Sequence, residues 1–472
     1  MVFGRIKELT ILKNAESDSV SRFIAVYGRR RVGKTFLIRE GFGYRFTFQH
    51  AGLSKGGLKK QLSSFEASLK DAGMTSVPKC KNWMEAFELL KDLIRASSEK
   101  RKIIFLDELS WMDTQNSDLI PALENFWNGW ASARKDIVLI VCASATSWIM
   151  NKIIHNRGGL HNRITDRILL ENFTLSECEM FTRNNGLSFS REQILQYYMV
   201  FGGVPYYWTF LKKGMSIAQN IDSILFAKDA ALKDEFDYLY SSIFAKPEEY
   251  LTIIKTLSTR KAGMTREELI KNSGIPNSGN LTKKLNELES CGFIRKYSSF
   301  GKKAKNSLFQ LIDNFTLFYY RFLETKTTDE HLWTNIINTP RVNTWAGLAY
   351  ERVVLQHTNE IKRKLGISGI HTEIQSWYAI PDKDLNLPGV QIDLLIVRND
   401  RVINLCEIKY SLSEFTITKK DDADIKTKVD VFMRTTKTRH AIFPTLITTV
   451  GLVDNTYSTN IQSVITLEDL FG

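Results

Sequence analysis

Residues 23–35 read Phe-Ile-Ala-Val-Tyr-Gly-Arg-Arg-Arg-Val-Gly-Lys-Thr. The first five are a short apolar run of the kind that forms a strand buried on both faces. The next eight, Gly28, Arg29, Arg30, Arg31, Val32, Gly33, Lys34 and Thr35, are a complete phosphate-binding loop in its required place, between a buried strand and a helix. Glycines let the backbone turn tightly enough to aim N–H groups at phosphate oxygens. Lys34 reaches toward β- and γ-phosphates, and the Thr35 hydroxyl takes one position on Mg²⁺. The following helix, which opens through Phe36, adds its positive N-terminal end. The stretch from Gly28 to Phe36 therefore predicts a site for ATP–Mg²⁺.

Working outward, strand and helix patterns alternate through residue 172, as an α/β sheet requires. Tyr44 to Phe48 reads as a short aromatic strand. Lys81 to Arg95 carries Trp83, Phe87, Leu90 and Ile94 at helical spacing. Ile103 to Leu106 and Ile137 to Cys142 are further buried-strand runs, and Ile168 to Leu170 reads as the last strand. Five strands with crossover helices predict a doubly wound parallel sheet, whose ligands bind at the carboxyl ends of the strands. Gly28, Asp107 and Ser144 stand there. Asp107 can hold Mg²⁺ through water, and Glu108 can polarise the attacking water. Ser144 is either a γ-phosphate sensor or a plain turn serine. Transition-state charge calls for an arginine, in this chain or a neighbouring subunit; Arg163 is the first candidate and Arg167 the second.

The chain has 472 residues, enough for about three domains. At 43% apolar and 25% charged it is ordinary globular material, which excludes a disordered or fibrous chain. No apolar run reaches the ~18 residues of a membrane span. The first residues lack the apolar core of a signal peptide. Five scattered cysteines, with no Cys-x-x-Cys pair, suggest neither a disulfide framework nor a zinc knuckle. A reducing cytoplasm fits. The net charge of +12 favours an anionic partner such as nucleic acid, or is a solvated basic surface.

Phe173 to Lys233 is helical by pattern, broken at Gly202-Gly203-Val204-Pro205. From Glu248 the pattern changes to three short helices, the second opened by the capping box Thr265-x-x-Glu268. A hairpin follows, with the basic turn Lys302-Lys303-Ala304-Lys305. This describes a winged helix-turn-helix, either on DNA or as a packing unit between proteins. Expected boundaries are 1–172 for the phosphate-loop domain, 173–240 for a helical lid, 241–325 for the winged helix and 326–472 for a last α/β module.

In that last module Gln391-Ile392-Asp393 opens one strand and Val402 to Tyr410 forms the next, containing Glu407 and Lys409. Period two puts Glu407 and Lys409 on one face. A three-residue loop at Asn399-Asp400-Arg401 would set Asp393 opposite Glu407; a two-residue turn would put them on opposite faces. Glu351 lies three residues after Leu348 and four before Leu355, a carboxylate on an apolar helix face. The four residues are either a cation-and-phosphate site or a structural ion-pair set.

Phe3-Gly4-Arg5 with Glu8-Leu9, the loop at Gly28, Asp107-Glu108 and Gly203-Val204-Pro205 together resemble the archaeal-type AAA-related ATPases, near the signal-transduction ATPases with numerous domains. The resemblance covers roughly the first 320 residues. It implies a nucleotide switch that forms homo-oligomers, with Pro205 of the lid packed on the adenine. Glu351, Asp393, Glu407 and Lys409 resemble the active site of the PD-(D/E)XK nucleases, with Ile392 where the superfamily has proline. That resemblance implies a restriction-endonuclease-like fold. It also implies Mg²⁺ or Mn²⁺ on the three carboxylates, a metal-generated hydroxide and Lys409 orienting it, with DNA as substrate. Lys426 or Lys428 would contact the DNA backbone. The rival expectation is an ATP-gated regulatory scaffold that binds nucleic acid or protein without cutting.

Overall fold

The computed structural model describes residues 2–155, 158–244, 246–301, 307–325, 327–381 and 387–472. The chain divides into two compact units, Met1–Asn172 and Phe173–Gly472.

The first unit is built on five parallel strands: β1 (Arg22–Tyr27), β2 (Phe48–Ala51), β3 (Lys102–Asp107), β4 (Ile137–Ala143) and β5 (Asp166–Leu169). Their order is β2-β3-β4-β1-β5. Alternate residues of each central strand enter different cores. Phe23 and Ala25 join Ile104, Leu106, Leu139 and Val141 on one face. Ile24 and Val26 join Ile103, Phe105, Val138 and Ile140 on the other. Helices cover both faces, which is why these strands read as unbroken apolar runs. The helix Trp83–Ala96 begins at Asn82, whose side chain caps the Glu85 amide. The second strand starts later than its aromatic residues suggest. Tyr44 has a positive φ of 59° in a turn over residues 42–44, and pairing begins at Phe48.

The second unit opens with the helices Leu175–Asn184 and Arg191–Phe201, each started by a reciprocal capping box, Thr174 with Glu177 and Ser190 with Gln193. Gly203 lies against Phe173: a side chain there would stand 1.9 Å from the Phe173 carbonyl, and the Phe173 amide donates to the Gly203 carbonyl at 2.6 Å. Pro205 opens the short helix Pro205–Trp208.

Three helices follow, Pro247–Ser258, Arg266–Ser273 and Gly279–Ser290. They pack on an antiparallel sheet of β6 (Met264–Thr265), β7 (Ile294–Tyr297) and β8 (Leu308–Leu311), in the order β6-β8-β7. The basic turn Lys302, Lys303 and Lys305 lies outside the described residues.

The last module contains the helix Pro340–Gln356, the helix Lys419–Thr436 and a mixed sheet. Its strands are β9 (Thr372–Ala379), β10 (Val390–Arg398), β11 (Val402–Lys409), β12 (Ala441–Thr448) and β13 (Ser463–Ile465), in the order β13-β12-β11-β10-β9. β9, β10 and β11 are antiparallel, and β11, β12 and β13 are parallel. The chain leaving β7 runs onto β9: the Phe300 amide donates to the Ser376 carbonyl at 3.0 Å, and the Phe300 ring packs at a tilt on Phe432, centroids 5.2 Å apart.

Candidate functional site

The sheet order of the first unit brings three strand ends together. β4 runs between β1 and β3, so Ser144, just past β4, stands between the Gly28 loop and Asp107. Lys34 is buried, and its ammonium donates to the Gly28 carbonyl at 3.0 Å, the Arg29 carbonyl at 2.9 Å and Ser144 Oγ at 3.1 Å. Ser144 in turn donates from Oγ to Glu108 Oε1 at 2.5 Å and from its amide to Glu108 Oε2 at 3.2 Å. Thr35 Oγ1 donates to Asp107 Oδ2 at 2.7 Å. Ser144 therefore links the Lys34 ammonium to the Glu108 carboxylate.

The backbone of this site is specialised. Gly28 has φ 141°, and a Cβ there would lie 2.2 Å from the Leu170 carbonyl next to β5. Gly33, with φ 90°, caps the helix Lys34–Gly41. Glu108 has φ 46° and ψ 47°, a left-handed conformation that costs a non-glycine residue of order 1 kcal/mol or more. Its two bonds from Ser144 hold it there. Hard oxygen donors at Thr35 and Asp107 suit Mg²⁺, and a loop already closing on an ammonium suits phosphate oxygens held by the same lysine.

Not every residue of the motif faces this site. Val32 is buried in the core beside Leu37 and Ile38. Phe36 points outward and is 47% exposed. Arg163 sits in an exposed turn at the other end of the sheet, two residues before Thr165, whose amide bonds to the Phe23 carbonyl at 2.9 Å. The length of β1, about 20 Å, separates that end from Gly28, so Arg163 can serve a phosphate site only from another molecule. Arg167 lies within β5, opposite Ala25. Pro205 belongs to the second unit.

Sequence reasoning overlooked His50. It is on edge strand β2, 4% exposed, and lines a cleft of about 320 Å³ shared with Arg39, Asp71 and Asp107. Its Nδ1 meets Ser68 Oγ at 2.9 Å, while the buried Nε2 has no hydrogen-bond partner among the described residues. Burial lowers its pKa from 6.5 to about 4.

In the second unit the β10–β11 loop has three residues, Asn399 to Arg401, with Arg401 at φ 66°. Leu394 pairs with Cys406, so the next positions, Asp393 and Glu407, face each other across the strands. A bulge between Ile392 and Leu395, where β10 meets β9, re-aims Asp393. Glu351 is 7% exposed on the helix Pro340–Gln356. Of its neighbours three or four positions away, Val354 is buried and Leu355 is partly buried against the core; Leu348, expected beside it, is 39% exposed because the helix turns that position to solvent. Glu351, Asp393, Glu407, Lys409, Lys428 and Lys261 line one cleft of about 510 Å³.

The charges in this cleft are paired in a way the sequence concealed. Lys261, from the loop between Pro247–Ser258 and β6, places its ammonium 2.5 Å from Glu351 Oε1 and 3.2 Å from Asp393 Oδ2. Asp393 also accepts from Gln391 at 2.6 Å. Glu407 instead holds Lys428 at 2.6 Å and Lys409 at 3.0 Å. Lys428 thus serves a carboxylate, and Lys426 pairs with Asp422 at 2.6 Å. Among the described residues no three His, Cys, Asp or Glu side chains are gathered closely enough to hold a metal ion. Burial and then the Asp393 charge raise the Glu351 pKa, opposed by Lys261. Burial pulls the Lys261 pKa down, but Asp393 and Glu351 outweigh it, and the net direction is up. One oxygen, Glu351 Oε2, is buried without a hydrogen bond among the described residues, and the Arg352 guanidinium stands 3.9 Å from it.

A parallel sheet with this strand–loop–helix and adjacent acids at its carboxyl end defines a P-loop ATPase domain. Residues 2–210 match the family model described as an ATPase domain predominantly from Archaea. The chain is also similar to an uncharacterized protein of Methanocaldococcus jannaschii, MJECL04, at 23% identity over 421 residues, or 87% of this chain and 88% of that one. Among solved structures, the Walker-type ATPase paby2304 of Pyrococcus abyssi overlaps with a TM-score of 0.51 at 16% identity, covering 67% of this chain and 95% of that one. The ORC2 protein of Aeropyrum pernix, in its ADPNP–ADP complexes, overlaps with a TM-score of 0.42 at 13% identity, over 76% of this chain and 97% of that one. Among the described residues no helix is long and apolar enough to cross a membrane.

Proposed function

We propose that this protein is a cytoplasmic ATP–Mg²⁺-driven switch whose C-terminal module is a metal-dependent nuclease acting on DNA. In this reading Lys34 and the loop amides hold the β- and γ-phosphates, and Thr35 and Asp107 hold Mg²⁺. Glu108 polarises water when Ser144 releases it to the γ-phosphate. Pro205 borders the adenine, a second subunit supplies Arg163, and the three-helix module is a winged helix that relays the nucleotide state. Glu351, Asp393 and Glu407 would hold Mg²⁺ or Mn²⁺ in the C-terminal cleft, and the metal would supply hydroxide and charge stabilisation. Lys409 orients the attacking water. The boundaries 1–172, 173–240, 241–325 and 326–472 go with this assignment.

The observation that carries the nuclease half is the facing of Asp393 and Glu407 across a three-residue loop, in one cleft with Glu351 and Lys409. A buried carboxylate with an oxygen that has no hydrogen bond among the described residues, in one cleft with two half-buried carboxylates, suits a cation. The basic excess of the chain suits a polyanionic substrate.

A second reading, an ATP-gated scaffold that binds nucleic acid or protein without cutting, is favoured by one observation: Glu351, Asp393 and Glu407 each already have a lysine. The test is cleavage of supercoiled and linear DNA with Mg²⁺ or Mn²⁺, with and without ATP. Intact protein is compared with Glu407→Ala and Lys34→Ala. Cleavage that disappears in Glu407→Ala supports the nuclease. Working ATP hydrolysis with no metal-dependent cleavage favours the scaffold.

A further inference from the structure

Lys261 is 90 positions before Glu351 in sequence and reaches the cleft from a different module. Its backbone is fixed there. The Lys261 carbonyl accepts from Gln310 Nε2 and from an Arg352 guanidinium N–H, both at 2.6 Å. Arg352 is itself 3% exposed and also bonds the Leu311 carbonyl at 3.1 Å. Two residues on, Gly263 has φ 76° and presses on β8 so closely that a Cβ would stand 2.3 Å from the Phe309 carbonyl. The side chain is freer: it is 38% exposed, on a four-carbon stem that can swing while the loop stays put.

The ammonium is shared between two carboxylates, and among the described residues Glu351 Oε2 has no hydrogen bond, with the Arg352 guanidinium 3.9 Å away. A divalent cation with oxygen ligands would satisfy this pair better than a single ammonium can. It cannot enter between Glu351 and Asp393 while Lys261 is there.

We propose that Lys261 is a tethered counterion of the carboxylate cleft, lent by the neighbouring module, which fills the cation position between Glu351 and Asp393 and swings out when a divalent metal binds. This inference rests on the metal-site reading above and adds a control to it: metal occupancy is set by a competition with Lys261.

The experiment is Mn²⁺ binding to the full chain without nucleotide, read as loss of the free-ion signal in electron paramagnetic resonance. Asp393→Asn serves as the blank for Mn²⁺ held elsewhere, including Thr35 and Asp107. Lys261→Met, which keeps the stem, is expected to bind Mn²⁺ about tenfold more tightly than the unaltered chain, because a competing unit charge is gone. Lys261→Arg is expected to show no such gain. A companion measurement needs no variant: acylation of Lys261 by an amine reagent, followed by peptide mass spectrometry, should speed up several-fold when Mn²⁺ saturates the unaltered chain.

Equal Mn²⁺ affinity in Lys261→Met and the unaltered chain, or unchanged acylation at saturating Mn²⁺, overturns the counterion role and leaves the metal site standing. Absence of Asp393-dependent Mn²⁺ binding in every form at millimolar metal removes the metal site itself, and this inference with it.

Discussion

Acid should loosen the first unit through one residue, His50. The imidazole is 4% exposed on β2, and burial brings its pKa from 6.5 to about 4. In the unfolded chain the ring takes up a proton below about pH 6.5, whereas in the folded chain it stays neutral until about pH 4. The unfolded state therefore binds more protons across that window, and stability falls as pH falls. Linkage makes the loss about 2 kcal/mol by pH 5 and about 3 kcal/mol by pH 4. No carboxylate offsets it, because desolvation is the sole cause of the lowered value. His50→Gln cannot take up that proton and should show a shallower acid slope, although it starts lower at neutral pH through imperfect packing against Phe65 and Phe48. The assay is hydrogen exchange of β2 and β3 peptides at pH 7, 5.5 and 4.5, corrected for intrinsic exchange, in both proteins. If both lose protection equally between pH 6.5 and 4.5, His50 is not the acid-sensitive group and the desolvation argument fails.

Three further outcomes are expected. Lys34→Ala removes a buried ammonium with three acceptors and should abolish binding of a fluorescent ATP analogue; unchanged affinity would refute the nucleotide site. Gly28→Ala sets a methyl 2.2 Å from the Leu170 carbonyl at φ 141° and should cost upward of about 3 kcal/mol, seen as a lower melting temperature even without nucleotide. Arg352→Met leaves the Leu311 carbonyl without its buried guanidinium donor and the Lys261 carbonyl with Gln310 alone, and should cost about 2 kcal/mol in urea unfolding; a loss under about 0.5 kcal/mol would mean the Lys261 loop is held by other contacts.

What could be read from the chain follows from how local each feature is. The phosphate loop is contiguous, and its glycines carry their backbone demand in their identity, so Gly28, Gly33, Lys34 and Thr35 fall where the motif puts them. Asp393 and Glu407 were legible for a similar reason: one short loop sets their register, and three residues between the strands decide the face. Glu351 was found by a route that was half right: Leu348 three residues before it is exposed, but Leu355 four residues on packs against the core and Val354 beside it is buried. Tyr44 misled because a turn at positive φ can hold an aromatic residue as a strand can. Lys261 and Arg352 could not be read at all. One lysine in a loop looks solvated until tertiary packing brings a distant helix beside it, and no spacing rule spans 90 positions.

The backbone bond from Phe300 to Ser376 also bears on solubility. β9 is an outer strand of the mixed sheet, and an outer strand with free amides and carbonyls is a template for pairing with other chains. The stretch 298–300 occupies part of that edge, and Phe300 shields the ring of Phe432. At the opposite border β13 offers only three residues. A fragment cut at residue 327 would strip the β9 rim bare and expose a phenyl ring beside it, so it should self-associate where the longer stretch 247–472 stays dispersed.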